Sequence, residues 1–264
     1  MSFHSHEQNG LVYLTSDALS GVRHGFSTRQ GGVSAPPWDT LNLGVGRGDA
    51  LASVQENYRR FCAAVDMDAR SCVLSKQVHE DKIRLVTPED RGKGLWRDRD
   101  YTSVDGMICQ TPDLPLVVFG ADCNVILLYD GVQGAIGAVH AGWRGTALGI
   151  VKKAVEAMER EFGCEGGDIH AAIGPSIGAC CFETDGDVPH ALYEALGEDA
   201  APFITWDGWK YHADLKAINA LWLRQCGVTE IDVCPLCTSC RTDLFWSHRK
   251  TGGNRGAQVA MISL

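Results

Sequence analysis

A chain of 264 residues with 45% hydrophobic and 22% charged residues has ordinary globular composition, which excludes a disordered or fibrous protein and leaves room for one large core. A formal net charge of −9, with no Lys/Arg run interleaved with aromatics, argues against a nucleic-acid partner. The longest apolar runs, Leu114 to Phe119 and Val125 to Tyr129, fall far short of the roughly 20 residues that cross a bilayer, so no membrane segment is expected.

Met1-Ser-Phe-His-Ser-His-Glu-Gln lacks the basic start and apolar run of a secretory signal, which predicts a cytoplasmic protein. In a reducing compartment the 11 cysteines stay free and serve as core residues, metal ligands or nucleophiles. Residues 1–20 read as an N-terminal extension and 21–264 as a single domain, since no repeat, low-complexity tract or linker interrupts them.

Val22 to Thr28 reads as a strand that runs into the breaker-rich loop Arg29-Gln-Gly-Gly-Val-Ser-Ala-Pro-Pro. Leu51, Val54, Tyr58, Phe61 and Val65 recur at helical spacing, and Asp49 is expected to open that helix. Short β-rich runs follow at Ile83 to Val86, Val104 to Cys109, Leu116 to Phe119, Val125 to Leu128 and Ile136 to His140. Leu148, Val151, Val155, Met158 and Phe162 mark a helix that closes on Gly163. A strand over Ile169 to Ile173, a helix through Leu215, Ile218 and Trp222 ended by Gly227, and a last strand over Gln258 to Ser263 complete the pattern. Strands outnumber helices and do not alternate with them, so a doubly wound sheet fits poorly. The expected fold class is α/β of the α+β type, a layered single domain with mixed β-sheets flanked by helices.

Three segments place a zinc-type ligand at a strand end: Gln77-Val78-His79, Asp122-Cys123, and His140-Ala141-Gly142-Trp143-Arg144-Gly145. Two imidazoles and a thiolate suit tetrahedral Zn²⁺ and leave a fourth position open, the pattern of a catalytic site. Their separations of 44 and 17 residues form no local motif, so each residue taken singly also reads as a satisfied core His or Cys.

Taken together, His24-Gly-Phe-Ser-Thr-Arg-Gln-Gly-Gly-Val-Ser, Leu41-Asn-Leu-Gly, Gln77-Val-His, Asp105-Gly, Ala121-Asp-Cys, Val139-His-Ala-Gly-Trp-Arg-Gly-Thr, Ile173-Gly-Pro-Ser-Ile-Gly, Cys237-Thr and Phe245-Trp-Ser-His-Arg resemble the YfiH family. That family is also called laccase-domain, polyphenol-oxidase-like or peptidoglycan-editing-factor proteins. The resemblance covers about residues 20 to 264 and implies a YfiH-like fold. It implies that His79, Cys123 and His140 are metal ligands, for Zn²⁺ with copper as the alternative. It also implies phosphorolysis of adenosine, inosine, guanosine and methylthioadenosine, together with adenosine deamination, in a monomer or small homo-oligomer whose partners are nucleoside and phosphate.

Within that reading Arg29 and Arg144 are expected to hold phosphate, because a guanidinium fork binds the anion in a bidentate way and neighbouring glycines admit it. Cys123, Asp122 and Arg144 are the expected catalytic residues, with Asp122 as acid/base or ligand-orienting group. Arg29, Arg144, Asp105 and Arg249 are the expected substrate contacts. Zinc would activate phosphate for phosphorolysis and water for attack at C6 in deamination. The segment Arg249-Lys-Thr-Gly-Gly-Asn-Arg-Gly departs from the family's Arg-Arg followed by Thr-Gly-Arg, which leaves the role of Arg255 open.

Two other enzyme classes compete. One is an amidase of muropeptide precursors with Cys123 as nucleophile and His140 as base; the other is a copper polyphenol oxidase. His4-Ser-His6 is the only His-x-His among nine histidines, too few for a multicopper centre. A non-enzymatic zinc-binding or redox-sensing module is the third class. Cys234, Cys237 and Cys240 form Cys-x-x-Cys-x-x-Cys, but Leu244 stands where an iron–sulfur run needs a fourth cysteine. Cys234, Cys240 and the pair Cys180-Cys181 are therefore expected to be buried packing.

Overall fold

The computed structural model describes residues 2–264, and the alternation along its central strands dictates the layering. An N-terminal hairpin, β1 (Phe3–Gln8) and β2 (Leu11–Ser16), turns at Asn9-Gly10, both at positive φ as a two-residue primed turn demands. β3 (Arg23–Ser27) follows, then a long loop, α1 (Leu51–Ala64) and β4 (Val73–Leu74). β5 (Ile83–Leu85), β6 (Gly106–Cys109), β7 (Leu116–Gly120), β8 (Asn124–Asp130) and β9 (Ala135–Ala141) form the middle of the chain. After α2 (Trp143–Ala147) and α3 (Ile150–Phe162) come β10 (Ile169–Ile173), β11 (Glu183–Thr184) and α4 (Asp187–Leu196). β12 (Ile204–Trp206), β13 (Tyr211–Ala213), α5 (Leu215–Gln225), β14 (Glu230–Val233), α6 (His248–Thr251) and β15 (Gln258–Ser263) finish it.

One six-stranded sheet runs β1-β2-β3-β15-β7-β4 and a second runs β14-β10-β8-β9-β6-β5, with β11-β13-β12 as a small third sheet. Both large sheets are mixed: β4/β7, β5/β6 and β10/β14 pair in parallel, the remaining neighbours antiparallel. Val117, Val259 and Met261 pack on Tyr58 and Phe61 of α1. Their strand neighbours Leu116, Val118, Ala260 and Ile262 face Val125, Leu127, Ile136 and Ala138 of the second sheet. Ile126, Leu128 and Val139 then turn to Val155 and Met158 of α3 and Ile218 of α5. The order of layers is thus helix, sheet, sheet, helices, and no helix among the described residues is long and apolar enough to cross a membrane.

Residues 1–20 take a place in the fold: β2 pairs with β3, so the hairpin extends the first sheet. Two expectations need correction. Asp49 does not open α1, whose N-cap is Ala50; its carboxylate instead accepts hydrogen bonds from Ser34 Oγ (2.6 Å) and Asn42 Nδ2 (2.9 Å), tying down the loop after β3. The helix expected from Leu148 begins at Ile150, because Gly149 sits in the left-handed region at φ +68.

Candidate metal centre

Sheet register assembles the centre. β8 and β9 pair so that Val125 opposes His140 and Asn124 opposes Ala141, which sets Cys123, just ahead of β8, beside the end of β9. β6 flanks β9 on its other edge, with Gly106 opposite Val139, so Asp105 lies next to His140 and its carbonyl accepts the His140 amide at 2.8 Å. β5 pairs with β6 and brings the loop that precedes it, carrying His79, over the same strand ends. The ligand atoms of His79, Cys123 and His140 all lie within 4.8 Å of one another, and the two imidazole rings stand 4.9 Å apart at 82°. A Cβ on Gly142 would come within 2.7 Å of His79 Nδ1 and 3.2 Å of Cys123 Sγ, so only glycine leaves the ligands their space. Two imidazoles and a thiolate converging on one point can hold a metal ion.

Asp105 organises the donors from behind. It is fully buried, and its carboxylate accepts the amides of Val78 (2.9 Å), His79 (3.0 Å) and Glu80 (3.3 Å) together with Nδ1–H of His140 (2.8 Å). The bond to Nδ1 leaves Nε2 of His140 available to a metal ion. The three amide bonds hold His79 at φ +65, a backbone region costly for a residue with a Cβ. Burial opposes ionisation of Asp105, but the His140 hydrogen bond and the Val78 amide outweigh it and hold its pKa below 3.8. Asp105 was expected to contact substrate; with no exposed surface it cannot, and it acts on His79 and His140 instead.

Burial works against charge on the Cys123 thiol, yet the His140 charge and hydrogen bonds from His140 and His79 bring its pKa down to about 6. His140, also penalised by burial, is raised to about 9 by the Cys123 thiolate and the Asp105 hydrogen bond. The metal-free centre is therefore a thiolate–imidazolium pair. In chelator-treated protein, labelling of Cys123 by iodoacetamide, followed by peptide mass spectrometry, is expected to have its midpoint near pH 6; a midpoint above 8 would contradict the pairing.

His79 and Cys123 open into a cavity of about 480 Å³, within the roughly 300–1,000 Å³ of small-ligand sites. Trp143, Phe182, Ile177 and Leu215 give it apolar walls, and Arg144, Arg249, Arg255 and His248 give it a basic lining. Arg144 is exposed, its guanidinium 4.2 Å over the Trp143 ring. Arg249 donates to the carbonyls of Cys181 (3.2 Å) and Glu183 (2.9 Å). Asp122 lies at the cavity wall at φ +96, where its carboxylate accepts Thr238 Oγ1 (2.7 Å) and the Arg249 amide (2.7 Å). Both carboxylate oxygens are thus engaged, which ties Asp122 to Thr238 and to the backbone of Arg249.

Arg29 is not brought to this cavity. Its guanidinium stacks 4.0 Å over Trp246, donates to the carbonyls of Asp39 (3.0 Å) and Thr242 (3.1 Å), and lines a separate depression beside Gln30 and Thr40. Arg255, whose role the sequence left open, does line the cavity. Its Nη1 donates to Gly256 O at 2.8 Å, while its buried Nε has no partner. Burial lowers the Arg255 pKa to about 10; Arg47 pushes the same way, with Asp122 and Cys123 opposing. An unsatisfied guanidinium donor beside a second arginine could hold an anion. Trp143, Phe182 and His248 line the cavity without a site role expected from the sequence, although the first and last lie inside the His-Ala-Gly-Trp-Arg-Gly and Phe-Trp-Ser-His-Arg elements.

Residues 23–264 match the sequence family described as multi-copper polyphenol oxidoreductase laccase. The chain is 34% identical over 247 residues to the purine nucleoside phosphorylase YlmD of Bacillus subtilis, covering 91% of this chain and 87% of that one. It superimposes on the crystal structure of the hypothetical protein YfiH from Bacillus licheniformis with a TM-score of 0.92 at 33% identity, over 98% of each chain. Against the crystal structure of YlmD from Geobacillus stearothermophilus the TM-score is 0.91 at 34% identity, covering 98% of this chain and 97% of that one.

Proposed function

Because the chain belongs to the YfiH family of laccase-domain proteins, we propose that it is a cytoplasmic, zinc-dependent purine nucleoside phosphorylase acting on adenosine, inosine, guanosine and methylthioadenosine, with adenosine deaminase activity. The observation that carries the reading is a His–Cys–His donor set opening into a cavity lined by three arginines and two aromatic rings. Zinc held by His79, Cys123 and His140 would supply a Lewis acid with an open position.

The residues of this chain supply the rest. Arg144, Arg249 and Arg255 bind and orient the phosphate dianion, and Trp143 and Phe182 offer apolar faces to a purine. In phosphorolysis a phosphate oxygen bonds to C1′ of the ribose and the N-glycosidic electron pair stays on the base, which then takes up a proton. His248 carries an imidazole on the cavity wall, outside the metal donor set and suited to give that proton.

Two imidazoles and one thiolate are also a donor set that copper takes. The single other metal-type group among the described residues is all cysteine, so the histidine clusters of a multicopper oxidase are not assembled. The lowered Cys123 thiol beside His140 is what favours the second reading, a cysteine amidase.

Phosphate-dependent release of hypoxanthine from inosine by metal-quantified protein tests the proposal. Release that is independent of phosphate, or unchanged after complete chelation, would sink it. In the same assay Arg255→Ala is expected to raise KM for phosphate roughly 10- to 100-fold, the worth of about 1.5–3 kcal/mol for a charged hydrogen bond. Arg29→Ala should leave KM within about threefold, since its bonds to Asp39 and Thr242 are remote from the cavity lining.

A further inference from the structure

A second convergence of metal-type donors lies outside the cavity. The sulfurs of Cys180, Cys181, Cys237 and Cys240 are all within 4.8 Å of one another, with separations of 3.4 Å for Cys181–Cys240, 3.7 Å for Cys180–Cys240 and 3.9 Å for Cys180–Cys181. Four thiolates around Zn²⁺ at about 2.3 Å stand at the corners of a tetrahedron whose edges are about 3.8 Å. The sulfurs are too far apart for disulfides and close to the spacing a tetrahedral ion imposes.

Packing does not account for them. Cys180 and Cys240 are exposed and Cys181 is half-buried, contrary to the expectation that all three are core thiols; of the four, only Cys237 is buried. Cys234, the remaining member of the Cys-x-x-Cys-x-x-Cys run, is buried and stands outside the group. Unbonded cysteine is ordinarily among the most buried residue types, so an exposed cluster calls for another cause.

The backbone is built for ligation. β10 and β14 pair in parallel, Ile173 opposite Val233, and both chains continue past the sheet together, so that Ser176 bridges Cys237. The Gly178 amide donates to Cys237 Sγ at 3.3 Å, and the amides of Ser239 and Cys240 also point to that sulfur. Amide hydrogen bonds within a Cys-Thr-Ser-Cys turn stabilise a thiolate rather than a thiol. A four-thiolate zinc site carries a net charge of −2, and a buried cation stands beside it. Lys216, 6% exposed, donates to the carbonyls of Cys234 (2.7 Å) and Leu236 (2.8 Å) just ahead of Cys237, near enough to interact electrostatically with Cys237 and Cys180.

We propose that Cys180, Cys181, Cys237 and Cys240 bind a second, structural zinc ion with four thiolate ligands, independent of the His79–Cys123–His140 centre. Loading releases the thiol protons to solvent and changes no oxidation state. The ion clamps the loop after β10 to the loop after β14. Those loops supply Phe182 to the cavity, the Cys181 carbonyl that holds Arg249 together with that of Glu183 at the start of β11, and Thr238 that holds Asp122. The site therefore fixes one wall of the cavity, and its existence does not depend on which reaction the cavity performs.

Elemental analysis of the full chain, purified under reducing conditions and equilibrated with zinc, is expected to give two zinc ions per chain. The double variant Cys180→Ser with Cys240→Ser should hold one, and His79→Ala should retain zinc whose X-ray absorption shows a shell of sulfur alone at about 2.3 Å. In wild-type protein, which needs no variant to fold, the four cysteines should resist iodoacetamide until a chelator is added. Equal zinc content in wild type and the double variant, or equal labelling of the four thiols with and without zinc, overturns the proposal. A Cys181–Cys240 disulfide that persists in the reduced, zinc-treated protein, or iron in place of zinc, overturns it as well.

Discussion

Cys123→Ala is expected to abolish phosphate-dependent release of hypoxanthine from inosine and to remove the metal from the cavity in the same step. The thiolate is the one anionic donor in the set, and its loss leaves two imidazoles, too few to retain zinc against a chelator. The drop should exceed the roughly 10- to 100-fold that follows loss of an outer-shell partner. The protein should stay folded, because Cys123 is half-buried and sits ahead of β8 rather than inside it. His79→Ala separates the two enzyme readings. If Cys123 binds zinc, His79→Ala loses metal and activity as Cys123→Ala does; if Cys123 is a nucleophile served by His140, it keeps most of its activity after chelation. Measured metal content of the cavity alongside the rate, with sulfur-only zinc subtracted by X-ray absorption, distinguishes these outcomes.

Asp105→Asn is expected to weaken metal binding and activity by roughly 10- to 100-fold although the substituted side chain meets neither metal nor substrate. Asparagine has the same shape, but one of its two terminal atoms becomes a donor and faces groups that are themselves donors: the amides of Val78, His79 and Glu80 and Nδ1–H of His140. Each orphaned buried donor costs about 1–3 kcal/mol. His79 loses the bonds that hold it at φ +65, and His140 loses the partner that selects its tautomer, so both imidazoles drift from the ligand point together. The carboxylate is ionised above its lowered pKa, so its contribution to stability is present at neutral pH and is lost as pH falls through a value below 3.8. Thermal unfolding at pH 7 should show the variant destabilised, and competition with a chelator should show the weaker site. Wild-type zinc affinity in Asp105→Asn would refute the role assigned to this carboxylate.

Much of the fold was legible from local pattern. The strands Ile169–Ile173 and Gln258–Ser263 and the glycine stop after α3 read directly, because short apolar runs between breakers and a 3.6-residue stripe are properties of adjacent residues. The N-terminal hairpin was missed because β1 is polar and largely exposed at the edge of its sheet, and β11, β12 and β13 were missed because strands of two or three residues are defined by pairing rather than by composition. Of the arginines, Arg29 beside Gly31-Gly32 is the one expected to hold phosphate, yet its guanidinium is spent on Trp246 and two carbonyls, while Arg255, with an irregular spacing, reaches the cavity.

By itself the sequence determined the chemistry available: imidazoles and thiolates for a metal, guanidinium groups for an anion, free thiols in number, and, through its resemblance to a family, which ligand residues to bring together. Only the tertiary structure decided which of those groups share a point in space. Cys123 and His140 meet because β8 and β9 pair in one antiparallel register, and Cys180 and Cys240 meet because β10 and β14 run parallel and leave their sheet side by side. Contacts between residues 17 or 60 positions apart are set by strand register and layer packing, which no local spacing records.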